Sequence, residues 1–176
     1  MESKPSVASL SVKNSHVLPS DTNGHGTLFG GQLMAYIDDV AAISATRHAR
    51  RLVVTASIDS VDFLHPVKEG DTICLEAFVT YTHRTSMEVF VKAVTENLLT
   101  GDRKVCANAF LTMVAINENN QPTEVPEVYP ESDEEKWLHR EAEKRAQIRK
   151  DRRKIAKEMS ERFGTSFPWN ETSRFG

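Results

Sequence analysis

One side chain in this sequence has the type and setting for acid–base chemistry, Asp38 in the middle of an apolar run, and a second, Asn23 in the polar turn before it, can donate and accept hydrogen bonds beside it. Leu33, Met34, Ile37, Val40, Ala41, Ala42, Ile43 and Ala45 surround the Asp38 segment on almost every side when wound as a helix, so a buried helix is expected. Burying an unpaired carboxylate is costly, so at least one of Asp38 and Asp39 is expected to face a site. A carboxylate withdrawn from water can act as a general base on a water molecule, or attack directly as a nucleophile. Between the two candidates, Gly24, Gly26, Gly30 and Gly31 leave the backbone free to turn and to approach a ligand closely. The first-turn amides at Gly30 and Gly31 point with the positive end of the helix dipole and could stabilise a developing oxyanion. Asn23 offers both a donor and an acceptor, although this turn would also use it simply to fold back on its own backbone. Asp39 lies about 100° further around the helix and reads as a hydrogen-bonded or interfacial acid. His25 is a weaker candidate base, and His16, His48, His65, His83 and His139 show no clustered spacing.

Positioning these groups takes a helix and a sheet. Residues 1–9 read as a flexible N-terminus, after which Leu10, Val12, Val17 and Leu18 suggest a first strand ending at Pro19. Ser20 to Gly24 is dense turn chemistry. The helix is expected from about Phe29 to Arg50, with the basic end Arg47-His48-Ala49-Arg50-Arg51 complementing its negative pole. From Leu52 the period changes to two, through Val54, Ala56 and Ile58, then Val61 and Phe63, to His65-Pro66. Ile73, Leu75, Ala77, Val79 and Tyr81 make a second long strand, and Met87, Val89, Val91 and Ala93 a third beyond the turn at His83-Arg84-Thr85. A last strand carries Val105, Ala107, Ala109, Leu111, Met113 and Ala115 on one face. The class is α+β, an antiparallel sheet wrapped around a long central helix.

After Pro130 the composition turns charged. Ser132 and Glu135 form a capping box that opens a helix running to about Phe163. Its ordinary reading is a solvated helix held by charge pairs. The basic block Arg149 to Lys154 is a candidate contact for RNA or an acidic partner, and Trp137, Leu138, Ile148, Ile155, Met159 and Phe163 could dock on the body or a neighbouring subunit. The organisation is thus a flexible 1–9, a domain over 10–126 and a charged extension over 127–176.

At 176 residues and 39% hydrophobic, the chain can build one core. A net charge of −3 argues against a nucleic-acid binder. No apolar run has the length of a signal peptide or a bilayer span, so a cytoplasmic protein without membrane contact is expected. Cys74 and Cys106 fall in apolar alternating segments without metal-ligand spacing, so reduced thiols and no metal site are expected.

The ordered set Asp21-Thr22-Asn23, Gly26, Phe29-Gly30-Gly31, Leu33-Met34 and Asp38, followed by Val53-Val54-Thr55 and Phe63-Leu64-His65-Pro66-Val67, resembles the hotdog-fold acyl-CoA thioesterases over residues 10–126. The closer likeness is to brain-type acyl-CoA hydrolases and their small bacterial relatives. The resemblance implies hydrolysis of acyl-CoA to CoA and a free fatty acid with no cofactor, CoA being part of the substrate. It also implies a homo-oligomer, a dimer at minimum and a trimer of dimers as a further assembly, with active sites at the subunit interface. There Asp38 would supply the catalytic carboxylate, with Asn23 coming from the opposite subunit and the Gly30 and Gly31 amides polarising the carbonyl. Arg84, Thr85 and Ser86 stand where relatives contact the nucleotide part of CoA, and Met34, Val54 and Phe63 are candidate acyl-tunnel residues. Three rivals remain: a hotdog dehydratase or hydratase, which would pair a His with its acid; a non-catalytic acyl-CoA or nucleotide-binding regulator; and a protein whose basic tail binds RNA or a partner.

Overall fold

The computed structural model of the chain describes residues 2–165. Its elements in chain order are β1 (Lys4–Pro5), β2 (Ser11–His16), α1 (Gly30–Ala49), β3 (Leu52–Phe63), β4 (Thr72–Thr82), β5 (Ser86–Glu96), β6 (Arg103–Ile116), β7 (Val128–Tyr129) and α2 (Asp133–Arg162). Five strands form one antiparallel sheet in the order β2-β4-β5-β6-β3, and α1 lies across all five. The period-two segments supply its inner face. Ile73, Leu75, Ala77 and Val79 of β4, Met87, Val89 and Val91 of β5, and Ala107, Ala109, Leu111 and Met113 of β6 are fully buried. Opposite them stand Ile37, Val40, Ala41 and Ala45, whose short alanines let the helix approach the sheet closely.

The sheet covers only one side of α1. Met34 and Ile43 remain 40% and 45% exposed, so the helix expected to be buried all round is half open in a single chain. At one edge of the sheet stands β3, a strand with one hydrogen-bonded neighbour, on which Leu52, Val54, Ile58 and Phe63 are exposed. Register shifts on either side of Ala56 and of Asp59 also interrupt the alternation read for this strand. In β6 a bulge does the same. Cys106 is the extra residue between Val105 and Ala107, so Cys106 turns inward and Val105, expected on the inner face, is exposed. Both cysteines are free thiols, Cys74 half-buried on the other face of the sheet and Cys106 enclosed, with burial pushing its thiol up to about 11.

The polar residues read as a flexible start are ordered instead. Lys4 and Pro5 pair in parallel with Val128 and Tyr129, and a 3₁₀ turn spans Ser6–Ser9. The Ser9 hydroxyl accepts from Val79 N–H at 2.8 Å and donates to Ser6 C=O at 2.7 Å. These serines satisfy backbone groups at the sheet margin, a task that apolar side chains cannot perform. Beyond the sheet, the capping box at Ser132 and Glu135 forms as expected. Leu138 and Ala142 are buried, so the compact unit runs on to Ala142; residues 143–176 make a second unit, of which 166–176 lie outside the described residues.

His48, read as part of the basic end of the helix, is fully buried. Its Nε2–H donates to Pro126 C=O at 2.9 Å, while Lys4 Nζ donates to the His48 carbonyl at 2.7 Å. One residue of α1 thus fastens both the N-terminal segment and the chain after β6. Burial holds the imidazole below its ordinary 6.5, the Pro126 bond pulling the other way and the Lys4 cation adding to the lowering. The unfolded chain therefore takes up this proton first as pH falls, so the stabilisation is complete above 6.5 and is lost as pH drops through the lowered value. Urea unfolding at pH about 8 and about 5.5 should show a lower midpoint in acid, and His48→Gln, which keeps a donor for Pro126, should reduce that difference. Equal pH dependence in the two proteins would remove His48 from this role.

Candidate active site

The loop before α1 is a small hairpin pinned to the chain beyond β3. Asn23 N–H bonds to Thr27 C=O, Leu28 N–H to Val67 C=O and Glu69 N–H to Gly26 C=O, at 2.8, 2.8 and 3.1 Å. Gly26 has φ +69°, which an L side chain adopts only with strain. Asn23 holds the turn: its Oδ1 accepts from His25 N–H at 2.8 Å, and its Nδ2 donates to Thr27 Oγ1 at 3.0 Å. The Asx-turn role is therefore filled within one chain, leaving one Nδ2 hydrogen for other work.

The chain then enters α1 with no side-chain cap, and by helix geometry the first-turn amides of Gly30 and Gly31 lack intrahelical acceptors. Neither glycine has a positive φ, and only at Gly31 would a side chain collide. A Cβ on Gly31 would lie 2.5 Å from the Phe29 ring, and one on Gly30 would rest against Phe63 at 3.6 Å. The Phe63 ring, Leu28, Leu33 and the Leu64-His65-Pro66 segment enclose a cleft of about 350 Å³ at this end of the helix. Of the expected tunnel residues, Phe63 lines this cleft, whereas Met34 and Val54 are exposed elsewhere on the open side of the protomer.

Asp38 is half-buried, and Thr55 Oγ1 of β3 donates to its Oδ1 at 2.7 Å. Asp39 pairs with Lys13 at 2.8 Å on the outside, the structural role expected for it. Thr55 is the residue that pattern reading missed as part of the site. In the sequence it is one of the alternating polar positions of its strand, with Ser57 and Asp59, and part of the Val53-Val54-Thr55 motif, but only the folded register carries it to Asp38. Thr55 pairs with Met113 and Met113 with Met87, while Val54, Val114 and Ser86 form the next row. The Arg84-Thr85-Ser86 turn thus stands at the Asp38 end of the sheet. Beside it Arg84, His83 and Thr82 share a cleft of about 490 Å³ with Glu124 and Glu127.

Within one chain the parts are divided. Asp38 lies seven to eight residues along α1 from Gly31 and Gly30, roughly 10–12 Å at 1.5 Å per residue. That is too far for the carboxylate and the amides to act on one carbonyl, which needs contacts of about 3 Å. Among the described residues no three of His, Cys, Asp and Glu group as metal ligands, and no helix is long and apolar enough to cross a membrane.

Residues 25–101 match the family model of the thioesterase superfamily. An uncharacterized acyl-CoA thioester hydrolase of Bacillus subtilis, YkhA, is 53% identical over 158 residues, spanning 90% of this chain and 92% of its own. The chain spans 32% of the length of the rat cytosolic acyl coenzyme A thioester hydrolase, to which it is 36% identical. Among solved structures, the acyl-CoA hydrolase of Staphylococcus aureus with butyryl coenzyme A, coenzyme A and coenzyme A disulfide matches at 46% identity and TM-score 0.87, covering 90% of this chain and 96% of its own. A hexameric acyl-CoA thioesterase matches at 50% identity and TM-score 0.85, covering 86% of this chain and 97% of its own.

Because the Asn23 side chain folds the loop whatever else it does, its two roles can be separated. Asn23→Asp keeps the acceptor for His25 and should unfold within about 0.5 kcal/mol of wild type, whereas Asn23→Ala should lose about 1 kcal/mol. Urea unfolding of the two variants checks this, and equal losses would show that the turn does not depend on Oδ1.

Proposed function

The chain belongs to the thioesterase superfamily, and we propose that it is an acyl-CoA thioester hydrolase whose active site is completed by a second copy. The observation that carries the composite site is the separation along α1 between the Gly30 and Gly31 amides and Asp38. The open β3 edge offers the way to close that gap. Two copies related by a twofold axis and paired along β3 run antiparallel, so the Phe63 end of one strand meets the Leu52 end of the other. The amide end of one protomer then approaches the Asp38 and Thr55 end of its partner.

In this arrangement Asp38 takes a proton from water as the oxygen attacks the thioester carbonyl carbon. The carbonyl electron pair moves onto oxygen, where the Gly30 and Gly31 amides and the remaining Asn23 donor stabilise it. Collapse of the tetrahedral intermediate breaks the C–S bond, and the CoA thiolate leaves and takes up a proton. Thr55 holds one carboxylate oxygen so that the other faces the water, a positioning role. Phe63, Met34 and Val54 contribute apolar surface to the acyl chain, and Arg84, Thr85 and Ser86 contact the nucleotide part of the carrier. No metal or redox group takes part, and a cytoplasmic location belongs to the same reading. The hexameric relative supports a trimer of dimers. A non-catalytic acyl-CoA sensor would keep the fold without a poised base, and the Asp38–Thr55 bond favours the enzyme.

Thiol release from a ladder of acyl-CoA esters tests this. Asp38→Asn should lower kcat by about a hundredfold or more, and Thr55→Val by about tenfold with little change in KM. Mixed subunits give the sharper result. When Asp38→Asn and Asn23→Asp chains are combined at equal ratio and allowed to exchange, half the dimers are hybrids with one intact site each, so activity should return to about a quarter of wild type. No recovery despite demonstrated exchange would place both residues' work within one chain, and no release by wild type from any ester would overturn the hydrolase.

A further inference from the structure

The second half of α2 has charge and exposure unlike the rest of the molecule. Residues 1–142 carry twelve Lys and Arg against twenty Asp and Glu, a net −8, while residues 143–165 carry nine against four, a net +5. Positions 150–165 are exposed on every side. A helix with no packed face is marginal in water, and i,i+4 pairs such as Lys157–Glu161 add only a few tenths of a kcal/mol each. Yet this segment is not uniformly polar. Ile148, Ile155, Met159 and Phe163 are 68%, 57%, 46% and 65% exposed, and at about 100° per residue their spacing places them within a stripe roughly 80° wide.

We infer that residues 143–163 are an intersubunit arm that docks on the acidic unit of a second copy of this chain. The inference rests on the homo-oligomer put forward under the proposed function. Charge decides between the occupants that an exposed apolar stripe could have. Pairing with the same helix of a neighbour would set +5 against +5 and bring the charged positions Asp151, Arg152 and Glu158 into the seam. A bilayer needs a broader apolar face, and Asp151 and Glu158 along one margin of the stripe would be pressed against anionic headgroups. The −8 unit of another copy supplies the opposite charge, and a folded surface can match a narrow stripe with a polar rim. Contact between the arm of one copy and the body of the next is heterologous, and closes a ring if the rotation between copies closes. Dimers joined along β3 could in this way be joined further.

Sedimentation velocity on the full-length protein tests the arm. Two double variants lie in the exposed segment and touch none of the residues assigned to the proposed site: Ile155→Glu with Met159→Glu, which breaks the stripe, and Lys150→Glu with Lys154→Glu, which reverses charge. Wild type should form an assembly larger than a dimer that weakens with added salt. Each variant should shift it to dimers, raising the dimer–dimer dissociation constant by about tenfold or more. Thiol release measured on the same samples keeps the two readings apart, because an assembly that depends on the arm can be seen whether or not any ester is cleaved. The inference falls if both variants retain the wild-type mass, if wild type never exceeds a dimer, or if the variants lose binding to anionic phosphatidylserine vesicles while assembly is unchanged.

Discussion

A rigid helix cannot bring its own first-turn amides and a carboxylate two turns later to the same atom. This constraint governs the reading of the molecule. The Gly30 and Gly31 amides and Asp38 share α1, and packing of Ile37, Val40 and Ala41 against the sheet prevents the helix from bending between them. Chemistry that needs both groups must therefore draw one of them from elsewhere. The open β3 edge, with its single neighbour and its exposed Val54 and Ile58, is where the proposed dimer would receive another chain. Thr55 lies on that same strand. The bond that orients the carboxylate and the edge that would bring the partner's amides are features of one element.

Much of this architecture was legible in the residues. Period two marked β4 and β5 because both strands are central and their inner faces are completely covered. The capping box at Ser132 and Glu135 was legible because it is a local hydrogen-bond pattern set by spacing alone. What failed to show was whatever depends on a partner element. The apolar run of α1 promised burial on every side, but a single sheet covers one side, and Met34 and Ile43 await something not encoded locally. Cys106 and Val105 exchanged faces because one bulged residue inverts an alternation, and no residue type in the segment signals it. Asp38 stood out as an acid among apolar neighbours, whereas Thr55 did not, because a threonine in a strand is ordinary until the register puts it 2.7 Å from a carboxylate.

The opposite pole of α1 shows how polar composition can misread as looseness. Ser6, Ser9 and Lys4 are the kinds of residue that elsewhere mark a frayed terminus. Here they complete backbone hydrogen bonds around the buried end of the helix, and His48 ties Pro126 to it. The consequences reach the sheet end nearest Asp38. The segment after Pro122 donates Val125 N–H to Arg84 C=O at 3.1 Å, and Val128 N–H to Thr82 Oγ1 at 3.2 Å. The turn that carries Arg84 is thus held by a strap whose anchor is His48, so fixing the helix end and shaping that turn are one packing problem.

In the proposed dimer the exposed apolar residues of the open side would serve two demands at once. Met34, Val54 and Phe63 are too exposed to stabilise an isolated protomer, and leaving them in water forgoes roughly 25 cal/mol for each Å² that could be covered. Pairing two copies along β3 would cover them. A thioester whose acyl chain enters the same junction would be covered by the same side chains. The depth available to the chain is then whatever the paired edges leave unfilled, so a larger residue at Val54 or Met34 would shorten the accepted chain, and a smaller one would lengthen it while loosening the dimer. In the proposed dimer, substrate length and subunit affinity would be coupled through these positions, because the acyl group and the neighbouring protomer would compete for the same apolar surface.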